Sequence, residues 1–362
     1  MMARVLQFAL VCAGSLVASG PFEYLLFPPA AANARNSEAD ILMLRDGRLM
    51  IAWSQFLSSS SSDWAPARIP VMFSRDDGRT WYGKETLQEN IGKINVMCPD
   101  LLRLRSGKIL FTFWVLNSPA DSQVMYRLSN DDGKTWTAPK RIPASPAPMY
   151  WMNQHDTSIQ LRSGRILNPL YFTSDYRVDK YIRVQAYYSD DEGGSWKASR
   201  AIIDIPESTR GAEEPVVVER KDGSILMLIR NITGHVYQSR SSDGGETWTK
   251  PEPTSLVAPR SPISVKRIPS TGDLLSVWNE STDKRWPLNV AVSKDDGLTW
   301  GRSKTLDATP GVTFAYTSIA FVKDQVLFSY YVGQPRQGPT EQESKDTFAL
   351  KLKSVPVGWF YE

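Results

Sequence analysis

The chain has 362 residues, of which 41% are hydrophobic and 11% aromatic, enough to bury a large core. Its charge is ordinary: 22% charged residues and a formal net charge of +3, with no Lys/Arg run, which argues against a nucleic-acid surface. No long apolar stretch follows the N-terminal region, so no membrane span is expected in the mature chain.

In chain order, the first element is a leader. Arg4 precedes an apolar run from Val5 to Ala18, followed by Ser19-Gly20-Pro21. That order predicts a signal peptide over residues 1–20 and a secreted or periplasmic protein spanning 21–362. Cys12 would leave with the leader, and Cys98 would remain alone, so the mature fold needs no disulfide.

Two turns then alternate along the chain. The first joins apolar runs at Asp46-Gly47, Ser106-Gly107, Ser163-Gly164, Asp222-Gly223, Thr271-Gly272 and Asp324-Gln325. The second is Ser-x-Asp-x-Gly-x-Thr/Ser-Trp, starting at Ser74, Ser129, Ser189, Ser241 and Ser293, with spacings of 55, 60, 52 and 52 residues. Asp accepts local backbone N–H bonds, Gly supplies a positive φ, and Trp packs on the strands leaving the turn. None of the five has the ligand spacing of a calcium loop. Six hairpins, five of them followed by such a box, predict an all-β, six-bladed β-propeller with five Asp-box turns. The box-less last blade would be closed by the segment Phe22 to Phe27 and the strand around Phe348 to Lys353.

The first strand of a blade lines the axis, so the residues before it line the channel. Eight positions before the first-type turns stand Glu38, Cys98, His155, Glu214 and Tyr316, with Arg260 near the fifth. Arg230, sixteen residues after Glu214, returns beside it on the antiparallel partner. Asp156 and Asp100 flank the same ring, and Asp63 lies in the serine-rich loop before the third strand. With two histidines in the chain, no histidine-rich metal site is expected.

Over residues 35 to 335 the chain resembles the sialidase (neuraminidase) superfamily. The resemblance rests on the five boxes, Glu214-Pro-Val-Val-Val-Glu, Leu228-Ile-Arg230-Asn231, Arg285-Trp-Pro-Leu, and Phe314-Ala-Tyr316-Thr-Ser318. It implies an exo-α-sialidase without cofactor, acting with retention on glycoconjugates. Tyr316 would be the nucleophile, Glu214 its base and Asp63 the acid/base. Arg35, Arg230 and Arg285 would hold the substrate carboxylate, with Glu38, Asp100, His155 and Asp156 as further substrate contacts. The chain departs from the family at the first arginine, where Arg35-Asn-Ser-Glu38 replaces Arg-Ile-Pro. Arg35 serves only if the loop bulges by two residues. Another exo-glycosidase, a polysaccharide lyase, or a non-catalytic glycan-binding propeller stays open on the same scaffold.

Overall fold

The computed structural model describes residues 20–142, 149–333 and 346–362. The expected leader, apart from its last residue, lies outside them. Among the described residues no helix is long and apolar enough to cross a membrane.

The chain forms antiparallel sheets in sequence order. Asn36–Met43, Leu49–Phe56, Ala67–Ser74 and Tyr82–Gln88 make the first. Glu213–Glu219 to Glu252–Val257 and Ser264–Arg267 to Lys304–Asp307 make two more of four strands each. Between these lies a nine-stranded sheet. Its two antiparallel parts meet at one parallel bridge, Tyr150 to Ser122, where the Ser122 hydroxyl also donates to the Trp151 carbonyl at 2.6 Å. Two expected units are therefore fused by a local bridge between neighbouring sheets.

The last sheet pairs Phe22–Phe27 with Phe348–Pro356, in register Phe22 to Ser354 and Tyr24 to Leu352. An N-terminal strand thus covers the edge that a C-terminal strand would otherwise expose. The first strands pack against one another: Asn36–Met43 touches both Asn95–Arg103 and Thr313–Val322, and Ser264–Arg267 touches Glu213–Glu219 and Thr313–Val322. The apolar cores lie between sheets. Ile41, Leu49, Ile51 and Trp53 of the first sheet meet Leu327, Leu350 and Leu352 of the last.

The five boxes close alike. In the first, the Ser74 hydroxyl accepts the Gly78 N–H at 2.9 Å and donates to Asp76 at 2.8 Å. Asp76 accepts the Thr80 N–H at 2.8 Å and the Thr80 hydroxyl at 2.6 Å. The same bonds recur around Asp131, Asp191, Asp243 and Asp295. Glycine is required twice over at Gly297: its φ is 82°, and a Cβ would stand 2.5 Å from Leu226 of the preceding sheet. All five box tryptophans are half-buried, and none lines the cavity described below. On the face of the first-type turns, arginines tie the second turn to the third and the third to the fourth. Arg105 donates to the Leu161 and Arg162 carbonyls, and Arg162 to those of Arg220 and Lys221.

Candidate active site

A backbone irregularity builds the site. Four first strands slip register at the same place, between Ser37 and Asp40, Met97 and Asp100, Glu213 and Val216, and Ala315 and Ser318. Inside each bulge one residue has a positive φ: Glu38 at 43°, Cys98 at 55°, Glu214 at 41° and Tyr316 at 57°. For non-glycine residues this costs about 1–3 kcal/mol each and persists only where surrounding structure imposes it. A bulge suspends the alternation of side chains. Glu213 and Glu214 both line one cavity as a result, as do Met97 and Cys98.

That cavity has a volume of about 880 Å³. Its polar lining includes Arg35, Glu38, Asp63, Glu213, Glu214, Arg230, Arg260, Arg285, Tyr316 and Tyr331. Met97, Trp114, Tyr150, Met152 and Ile182 give it an apolar wall.

The Tyr316 hydroxyl donates to Glu214 Oε1 at 3.1 Å, while Arg230 donates to the other carboxylate oxygen. The Arg285 guanidinium lies 5.6 Å from the centre of the Tyr316 ring. It is held there by the Tyr331 hydroxyl at 2.6 Å and the Arg260 carbonyl at 3.2 Å. Tyr316 keeps part of its surface open to the cavity, yet enclosure pushes its phenol well above the usual range. The Glu214 charge adds to that, while Arg230 and Arg285 oppose it. The phenol is therefore protonated at neutral pH and needs a base to become a nucleophile.

Burial opposes ionisation of Glu213, but the charges of Arg230, Arg260 and Arg210 prevail and hold its carboxyl down to about 2. Arg260 binds it with two bonds of 2.7 and 2.9 Å. Arg35 donates to Ser37, Glu38, the Ser61 carbonyl and Asp63. Burial works against its charge, and Glu38 and Asp63 more than restore it.

Of the residues singled out by sequence, Tyr316, Glu214, Asp63, Arg35, Arg230, Arg285 and Glu38 line this one cavity. Asp100, His155 and Asp156 do not, which corrects their expected role as ligand contacts. Asp100 accepts the Thr157 and Ser158 N–H groups and the Ser158 hydroxyl, and burial raises its carboxyl to about 6. Asp156 pairs with Lys266 and accepts the Ile319 N–H at 2.9 Å. Asp100 thus ties the two parts of the nine-stranded sheet, and Asp156 ties that sheet to its neighbours. His155 is buried with its ring centre 5.9 Å from that of Tyr316, and burial lowers its pKa. Counting placed His155 at the rim, but the left-handed residue there is Asp156, at 57°.

Glu213 and Tyr331 escaped sequence reasoning. Strict alternation turns Glu213 away from the side of Glu214. Tyr331 pairs with Ala315 across its hairpin as Arg230 pairs with Glu213, but one residue nearer in sequence because its turn is shorter.

A model of the BNR repeat-like domain matches residues 92–328. A sialidase of Bacteroides fragilis is 27% identical over 222 residues, covering 58% of this chain and 39% of that protein. A sialidase of Micromonospora viridifaciens is 26% identical over 299 residues, covering 72% of this chain and 44% of its own length. The chain thus spans less than half of either relative. The solved structure of Trypanosoma rangeli sialidase with the inhibitor DANA superposes with a TM-score of 0.72 at 15% identity, covering 92% of this chain and 59% of that one. At that identity the likeness concerns the fold.

Proposed function

The chain belongs to the BNR repeat-like domain family, and from that membership we propose that it is an exo-α-sialidase on a six-bladed propeller, cleaving terminal sialic acids with retention. The observation that carries this reading is the Tyr316–Glu214 hydrogen bond of 3.1 Å, set in a cavity where Arg230 and Arg285 flank the tyrosine. Six blades follow if the nine-stranded sheet is divided at its single parallel bridge. The leader over residues 1–20 supports export as part of the same reading.

A sialoside carries a carboxylate on its anomeric carbon, which repels a carboxylate nucleophile. A neutral phenol avoids that repulsion, and sialidases are the tyrosine exception among glycosidases. In the first step the Tyr316 oxygen bonds to the anomeric carbon and its proton passes to Glu214. The bond to the leaving oxygen breaks, and that oxygen takes a proton from Asp63. In the second step Asp63 removes a proton from water, which attacks the same carbon. The bond to Tyr316 then breaks, and the phenol recovers its proton from Glu214. Two inversions give net retention and return each group to its starting state. Arg230, Arg285 and Arg35 hold the substrate carboxylate, since a guanidinium matches it with two parallel hydrogen bonds.

The test is fluorimetric release of 4-methylumbelliferone from a panel of glycosides. The α-sialoside should be turned over and the neutral hexosides left intact. Release from a neutral glycoside with none from the sialoside would contradict the reading.

A further inference from the structure

The guanidinium of Arg35 has five N–H donors, and its present partners take four of them. Nε meets the Ser37 hydroxyl at 2.6 Å. One Nη2 donor meets Glu38. Nη1 divides between the Ser61 carbonyl at 3.1 Å and Asp63 Oδ1 at 2.6 Å. A two-pronged grip on a ligand carboxylate needs two parallel donors, so one partner has to leave before Arg35 can provide it.

The partners differ in how readily they can go. Glu38 and Ser37 are buried within the bulge, and Ser61 contributes backbone from a buried residue. The Asp63 side chain is 56% exposed. Its own carbonyl accepts a bond of 2.7 Å from Asn95, which also binds the Ala65 carbonyl at 2.8 Å. With the backbone pinned on both sides, the carboxylate leaves Arg35 by side-chain rotation alone, without loop movement.

We infer that Asp63 occupies on Arg35 the place of a ligand carboxylate, and that an arriving carboxylate displaces it, so that the freed Asp63 carboxylate takes a proton from solvent water and can then deliver it to the leaving oxygen. The inference rests on the proposed assignment of this cavity to carboxylate-bearing sugars. It adds a source of selectivity: a neutral sugar that fits the cavity leaves Asp63 tied to Arg35, so the acid is released only for a ligand bearing a carboxylate.

The experiment measures the affinity of DANA for the wild type, Asp63→Asn and Asp283→Asn by calorimetry. Asp283 is an exposed carboxylate lining the same cavity whose partner is the Ser281 hydroxyl, so its variant reports the effect of charge alone. Broadening of the ¹³C-acetate resonance on the wild type and Asp63→Asn is followed in parallel, since acetate is a carboxylate without a sugar. Removing the competitor should tighten DANA binding by about five-fold or more in Asp63→Asn, the scale of one partly exposed ion pair. Asp283→Asn should stay within about two-fold of the wild type, since exposed charges are strongly screened. Acetate should be broadened by Asp63→Asn and not by the wild type. Equal or weaker DANA binding by Asp63→Asn overturns the inference, as does an equal gain in Asp283→Asn. The sialoside reading survives either result as long as the wild type binds DANA. If neither protein binds DANA, the sialoside reading falls and acetate decides: broadening by Asp63→Asn alone upholds the displacement, and equal broadening overturns it.

Discussion

Tyr316→Phe is expected to lower turnover of an α-sialoside by about a thousand-fold or more, the scale seen when a nucleophile is removed from an assembled site. The substitution deletes one hydroxyl. Glu214 then loses the 3.1 Å bond but keeps Arg230 on its other oxygen, so no buried carboxylate is left unpaired. The loss in stability should be about 1.5–3 kcal/mol, the cost of one hydrogen bond to a charged group. Because Arg230, Arg285 and Arg35 are untouched, DANA affinity should change by no more than about three-fold, less than one neutral hydrogen bond. Single-turnover kinetics, thermal melting and calorimetry on the same preparation separate these effects. Activity retained in the variant would remove Tyr316 from the chemistry.

Arg230→Lys is the second large effect. The side chain is buried, donates to Glu214, and brings Nε to 3.9 Å from Glu213. Lysine keeps the positive charge, so neither carboxylate is stranded in the interior. What it loses is the planar fork that can bind Glu214 and a ligand carboxylate at once. The expected fall in kcat/KM is about 30- to 150-fold, or about 2–3 kcal/mol, the scale of a charge-assisted contact in a desolvated site. Most of it should appear in KM, because the carboxylate is held in the ground state as well as the transition state. A fall confined to kcat, with KM unchanged, would mean that Arg230 serves Glu214 and does not touch the substrate.

Much of the site was legible because two turn motifs run in phase. Counting eight residues back from the first turn led to Glu38, Glu214 and Tyr316, which line one cavity. Tyr331 holds the corresponding hairpin position, but its turn is one residue shorter, so the sixteen-residue offset that led to Arg230 reaches Val332 instead. The bulge stayed hidden, since nothing in Glu213-Glu214-Pro announces a left-handed residue in mid-strand. Without it, Glu213 belongs to the wrong side of the strand, and the left-handed residue of the third blade is placed at His155 instead of Asp156. Asp100 and Asp156 flank the ring in sequence and so looked like ligand contacts, whereas they bind backbone N–H groups. Arg35 reaches the cavity despite the altered triplet around it, and Glu38, which replaces the usual residue, becomes its buried partner. A fused nine-stranded sheet was not foreseeable either, because its joint is a single bridge at Ser122 rather than a patterned strand pair.

In the proposed first step Tyr316 bonds covalently to the sugar while Glu214 takes its proton. Peptide mass spectrometry after incubation with a fluorinated sialoside, which forms the glycosyl-enzyme quickly and releases it slowly, tests this most directly. The expected result is one added sugar mass on the peptide containing Tyr316, absent from Tyr316→Phe. A sugar carried by Glu214 or Glu38, or normal hydrolysis of the parent sialoside with no trapped peptide at all, would contradict it.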